Sequence, residues 1–309
     1  MDANDRRRLP RDARLTVWTA PDGWRHRRID WPRKPGTARR GSLLFAGGRG
    51  DFIEKYLEAK AHWRGAGWDV TSFDWRGQGA SRGDIAGGHL DDLTRLVDDL
   101  EALIAEWRAE TEGPNVVVAH SMGGHVLLRL LAERRPALDA AVLVAPMLMI
   151  NSAPLPTMGA WWLAAAAAGF GWARRPVWQQ GETPPPVGSQ RHSILTSCPG
   201  RYADELWWWE REPGYNLGAP SWGWLNAAYR SCAALTPDKL RQVKVPVLLV
   251  GTEADRLVSP SAIRSAAAAI PGARLKMFDR AAHEILRESD PVRLEALAEI
   301  DRFLAEHAG

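Results

Sequence analysis

Val116-Val117-Val118-Ala119-His120-Ser121-Met122-Gly123-Gly124-His125 reads as a buried strand running straight into a helix, with a serine at the join. A serine on so sharp a strand-to-helix turn has its hydroxyl exposed. The turn brings backbones together, so small residues are needed two before and two after it. Ala119 and Gly123 meet that need. The N-terminus of the following helix favours developing negative charge. A plain serine helix cap is the simpler alternative, but strand, helix and flanking small residues together point to a nucleophile.

Working outward, runs at 14–19, 25–31, 42–46, 68–75, 115–119, 140–144, 245–250 and 274–278 have the apolar or alternating look of strands. Helical spacing covers 51–63, 89–107, 123–133, 260–269 and 291–306. Alternation of this kind predicts a mostly parallel sheet flanked by helices. It breaks from about Pro146 to Thr236, a proline-rich stretch with no strand-like pattern. The expected organisation is an α/β core in two parts, 1–146 and 237–309, with an inserted helical cap at 147–236. A chain of 309 residues suits one such core with a sizeable insertion.

A serine needs a base and an orienting acid. After Ser121 come His125, His192, His283 and His307. His125 lies within the helix after the turn, His192 in the cap and His307 in the tail. His283 follows the last strand, where a loop at the sheet's carboxyl edge would carry it over Ser121. The acid lies among Glu253, Asp255 and Asp279. Asp255 is favoured because it falls after the turn and before the apolar anchor Leu257-Val258. Two backbone N–H groups are needed for an oxyanion, one after the nucleophile and one from an earlier loop. Met122 supplies the first, and spacing in Gly48-Arg49-Gly50 selects Arg49 for the second. Asp74 to Ser81 lacks the Gly-Lys-Ser/Thr ending of a phosphate loop and reads as a structural turn beside the site.

Apolar residues are 45% and charged residues 25%, which excludes a disordered, collagen-like or coiled-coil chain. Net charge is +3, but residues 1–40 hold 12 Lys+Arg against 5 Asp+Glu, so the remainder is acidic. No nucleic-acid-binding motif accompanies the basic arm. A solvated arm is expected, with peripheral contact to an anionic membrane as the second reading. Met1 to Trp18 has no apolar signal region, and the apolar stretch 158–170 is too short to span a bilayer. Cys198 and Cys232 make neither a disulfide scaffold nor a metal site. A reduced, cytoplasmic protein is expected, with any membrane contact at the inner face. Nine of the 16 tryptophans fall in 147–236. Trp is amphipathic, so Trp161, Trp162, Trp222 and Trp224 are candidate substrate contacts.

Together these residues resemble the α/β-hydrolase family, in particular its bacterial lysophospholipase and monoacylglycerol lipase branch, over about 41–304. Ala119-His120-Ser121-Met122-Gly123-Gly124 is typical of that branch. Asp74 to Ser81 looks like its Asp-x-Arg-Gly-x-Gly-x-Ser turn. Asp255-Arg256-Leu257-Val258 and His283-Glu284-Ile285-Leu286 look like its acid and histidine loops. Leu195-Thr196, Arg201-Tyr202 and Gly218-Ala219-Pro220-Ser221 with Trp224 are similar to the lysophospholipase cap. Gly47-Gly48 stands where many such lipases carry His-Gly, which favours lysophospholipase over monoacylglycerol lipase. The resemblance implies an α/β-hydrolase fold and a serine carboxylester hydrolase. Ser121, His283 and Asp255 would form its triad, with no metal or cofactor and a single-chain lipid ester as substrate. An acyltransferase on the same triad and a non-catalytic lipid-binding protein on the same scaffold are the rival expectations.

Overall fold

The computed structural model describes residues 2–83, 85–179 and 184–308. One eight-stranded sheet runs through it, with strands β1 (Arg14–Thr19), β2 (Arg25–Trp31), β3 (Gly41–Ala46), β4 (Trp68–Phe73), β5 (Asn115–His120), β6 (Ala140–Val144), β7 (Val247–Thr252) and β8 (Arg274–Phe278). Their order is β1-β2-β4-β3-β5-β6-β7-β8. β1 and β2 pair antiparallel, as do β2 and β4, and every later pairing is parallel. The helices are α1 (Ala3–Arg6), α2 (Leu57–Gly65), α3 (Thr94–Glu110), α4 (Met122–Glu133), α5 (Thr157–Ala167), α6 (Gln190–Leu195), α7 (Pro199–Arg211), α8 (Trp222–Ala234), α9 (Pro237–Leu240), α10 (Pro260–Ala269) and α11 (Asp290–His307).

The central strands are buried on both faces, as parallel strands under crossover helices must be. Their side chains still alternate. Leu44, Val117, Leu143 and Leu249 join α3, α4 and α10 in one core. Leu43, Val116, Val118, Val142 and Leu248 join α2 and α11 in the other. Each such side chain contributes about 1.5–3 kcal/mol on burial. The two layers hold β5 rigid, and so fix the turn at its end.

The insertion follows β6 and carries α5 to α8. Its alanine run has a packing reason: Ala160 and Ala164 on α5 lie against Tyr229 of α8, where small side chains allow close approach. The opposite outcome holds for Met158, Trp162 and Leu163, which are exposed. No helix among the described residues is long and apolar enough to cross a membrane.

Three expectations change. The helix expected from residue 89 begins at Thr94, because Asp92 accepts the Thr94 N–H at 2.8 Å and His89 is held by Ser221 Oγ at 2.7 Å. The helix expected over 51–63 is a 3-10 turn at Ile53–Tyr56 followed by α2. The basic arm is not simply solvated. Arg6 and Arg7 both reach Asp204 on α7, at 2.5 and 2.7 Å, and Arg7 lies over the Trp207 ring.

Candidate active site

β5 ends at His120, and Ser121 takes φ 51°, ψ −114° before α4 begins. A positive φ is strained for a non-glycine residue and is held here by the strand and helix on either side. The small residues have steric causes. A Cβ on Gly123 would stand 2.4 Å from the Gly47 carbonyl oxygen. One on Gly48 would stand 2.9 Å from Ser121 Cβ. The loop after β3 thus lies directly against the serine.

His283 Nε2 is 2.9 Å from Ser121 Oγ, and His283 Nδ1 is 2.8 Å from Asp255 Oδ2. The other Asp255 oxygen accepts the Leu257 and Val258 N–H groups at 2.8 and 3.0 Å. Burial works to raise the Asp255 carboxyl. The His283 ring and the two N–H groups outweigh it and hold the carboxyl below the usual range. Burial likewise works to lower the His283 pKa, but the Asp255 carboxylate leaves it above the ordinary 6.5. Such an imidazole, when neutral, can take the proton of Ser121 Oγ and hand it on.

Of the three acids considered, Asp255 is the one that meets His283. Glu253 is paired with Arg264, and Asp279 is exposed. The other histidines are otherwise occupied: His125 bonds Ser231 Oγ at 2.6 Å and is pushed down to about 3 by burial. His192 Nδ1 accepts the Gly188 N–H, and His307 packs on Phe303.

Met122 opens α4, so its N–H has no intrahelical acceptor. In the facing loop the Gly48 N–H is committed to Asp51 Oδ2 at 2.5 Å, and Arg49 is next in line. The Asp74 turn is structural: its carboxylate takes the Ile53 and Ala80 N–H groups and the Arg27 guanidinium.

The four candidate tryptophans are scattered. Trp162 is 70% exposed on α5. Trp161 donates to Asn226 and stacks on Tyr229, and Trp222 is packed in the same cluster. Trp224 is buried under the Arg49 guanidinium, 5.0 Å away.

A supporting layer escaped the sequence reading. Asp51 also bonds His120 Nδ1 at 3.0 Å and Lys55 Nζ at 2.9 Å. Glu288 accepts the Ala282 N–H at 2.7 Å and so props the His283 loop. The Asp51–Lys55 spacing, four apart on an otherwise buried face, was the available signal for the first.

The chain is 28% identical over 281 residues to a probable lysophospholipase L2 of Haemophilus influenzae, covering 88% of this chain and 86% of that protein. It is 29% identical over 288 residues to lysophospholipase L2 of Escherichia coli, covering 86% and 80%. Among solved structures, a soluble variant of monoglyceride lipase from Saccharomyces cerevisiae superposes with TM-score 0.76 at 18% identity, over 96% of each chain. A thermostable carboxyl esterase from Bacillus coagulans gives 0.75 at 15%, over 97% of this chain and 100% of that one. These two likenesses speak to the fold. Residues 37–290 match the family Hydrolase_4, serine aminopeptidase S33, and on that match the chain belongs to this family of α/β-hydrolases.

Proposed function

We propose that the protein is a serine carboxylester hydrolase that releases the fatty acid of a single-chain lipid, a lysophospholipid or a monoacylglycerol. The carrying observation is the line Ser121 Oγ, His283 Nε2, His283 Nδ1, Asp255, with 2.9 and 2.8 Å between partners. Ser121 attacks the ester carbonyl while His283 takes its proton. The oxyanion forms against the Met122 and Arg49 N–H groups. His283 then protonates the leaving alcohol, and Asp255 stabilises the imidazolium. Water, deprotonated by His283, cleaves the acyl-enzyme and frees the acid. The named relatives support a lipid ester as substrate.

The 147–236 insertion serves as the cap that receives the acyl chain. Its exposed Met158, Trp162, Leu163, Phe170 and Trp172 suit contact with a lipid surface. The free thiols Cys198 and Cys232 suit the reducing cytoplasm, and the proposed place of action is the inner membrane face. The test is fatty-acid release from lysophosphatidylcholine and from monoacylglycerol, with Ser121→Ala as control. Release from neither, by a folded protein, overturns the proposal.

A further inference from the structure

Arg49 is an unusual cation. Burial alone moves its pKa, down to about 9, so it stays charged at neutral pH with no acidic neighbour among the described residues. Other shielded arginines here are clamped by carboxylates: Arg27 by Glu54, Arg76 by Asp99, Arg201 by Glu58, Arg287 by Glu284. Arg49 instead spans the seam between core and cap through neutral groups. Its Nη1 donates to Gly218 O at 3.0 Å and its Nη2 to Gly87 O at 2.9 Å. Its guanidinium lies over the Trp224 ring, 5.0 Å from the centroid. Its Nε is buried with no hydrogen-bond partner among the described residues. A guanidinium has five donors, and these two carbonyl bonds leave the Nε hydrogen and one on each terminal nitrogen uncommitted to protein.

A charge withdrawn from water without a counter-charge is costly to hold. An anion from outside would remove that cost, and a planar fork of N–H donors matches phosphate oxygens. Position selects which anion. The same residue follows Gly48, where an added Cβ would stand 2.9 Å from Ser121 Cβ. In a lysophospholipid, phosphorus lies a glycerol's length from the scissile ester. That is comparable to the reach of an arginine side chain from its own backbone N–H.

We infer that the Arg49 side chain is a phosphodiester subsite, which makes lysophospholipid rather than monoacylglycerol the preferred substrate; this rests on the ester-hydrolase reading above. The backbone of Arg49 meets the carbonyl oxygen while its guanidinium meets the headgroup phosphate. The neutral bonds to Gly87 and Gly218 and the Trp224 face hold the fork in place.

The test compares 1-palmitoyl lysophosphatidylcholine with 1-palmitoylglycerol in the same mixed micelles, for wild type, Arg49→Lys and Arg49→Gln. Both substrates lose rate in the variants, and the ratio of their kcat/KM values is the readout. In Arg49→Gln the ratio falls about tenfold or more, chiefly through KM for the lysophospholipid. Arg49→Lys keeps part of it. In a second arm, glycerophosphocholine inhibits wild-type p-nitrophenyl butyrate hydrolysis competitively, and Arg49→Gln needs about tenfold more. An unchanged ratio in both variants overturns the inference and leaves Arg49 a strut between two loops. Inhibition by inorganic phosphate equal to that by glycerophosphocholine, with an unchanged ratio, makes it a site for free anions and also overturns it. If Arg49→Gln fails to fold, absent inhibition of the wild type by glycerophosphocholine does so. Wild type inactive on all three esters is a different result: the hydrolase reading itself then fails, and this inference with it.

Discussion

Lys55 Nζ lies 2.6 Å from the carboxylate of Glu284, the residue next to His283, and both side chains are buried. The same ammonium reaches Asp51 at 2.9 Å and Glu205 at 3.2 Å. One lysine therefore ties together the loop that faces Ser121, helix α7 of the cap and the histidine loop. Burial works against its charge, but the three carboxylates outweigh it and raise its pKa. Lys55→Met strands those carboxylates, of which Glu284 and Glu205 keep Arg287 nearby. Stability should fall by about 3–5 kcal/mol, read by urea denaturation, and ester turnover should fall with it. A loss under about 1 kcal/mol would mean that the network is not coupled as its distances suggest.

Ser121→Ala and His283→Ala should each lower ester turnover by about 10⁴–10⁶, because members of such a set act as a unit. Asp255→Asn should cost about 10⁴ or somewhat less. Glu253→Gln should change little, since Glu253 is partly exposed and bound to Arg264. A larger loss in Glu253→Gln than in Asp255→Asn would move the acid to Glu253.

Much of this is legible in the sequence. The Val116–Val118 run, a serine and two glycines specify the turn because only one backbone path fits a buried strand followed at once by a helix. Order along the chain then brings His283 and the Asp255 loop to the same sheet edge. The seam between cap and core was not legible. Lys55, Glu205, Glu284 and Arg287 look like ordinary surface charges in sequence, and only the fold shows them buried together. The start of α3 was misread for a related reason. Leu90 and Leu93 continue the helical apolar spacing, yet His89 bonds across to Ser221 in the cap. The number of tryptophans points to an apolar surface, but each one's direction depends on packing that spacing does not encode.

The pH profile follows from His283. Its folded pKa is raised by Asp255, and the imidazole must be neutral to take the serine proton. Activity should therefore rise with pH through a midpoint above about 6.5, the ordinary histidine value. Asp255→Asn removes the carboxylate that raises it, so the midpoint of the residual activity should move down. The stability linkage has the opposite sense: the His283 contribution is complete below the unfolded pKa and fades as pH rises through the folded one. A kcat/KM profile whose midpoint stays put in Asp255→Asn would separate the acid limb from His283.

The proposed membrane contact is expected at one end of the cap. Phe170 is 81% exposed, and Trp162, Trp172 and Trp178, within eight residues of it in sequence, are exposed as well. Arg174 and Arg175 follow, also exposed, with Arg175 stacked on Trp172. In the N-terminal arm, by contrast, Arg6 and Arg7 are engaged by Asp204. Binding to anionic vesicles should then depend on the cap and not on these two arm residues. Trp162→Ser and Phe170→Ser should each weaken binding about tenfold or more, as expected for an aromatic side chain worth about 1.5–3 kcal/mol on burial. Arg174→Gln with Arg175→Gln should remove about 1 kcal/mol per residue close to the surface and flatten the salt dependence, because exposed charges are screened. Arg6→Gln with Arg7→Gln should leave the salt dependence in place. Flotation with anionic vesicles at low and high salt reads all three. If the arm pair abolishes the salt effect and the cap pair does not, the membrane-facing surface is the arm, and the apolar end of the cap serves another purpose.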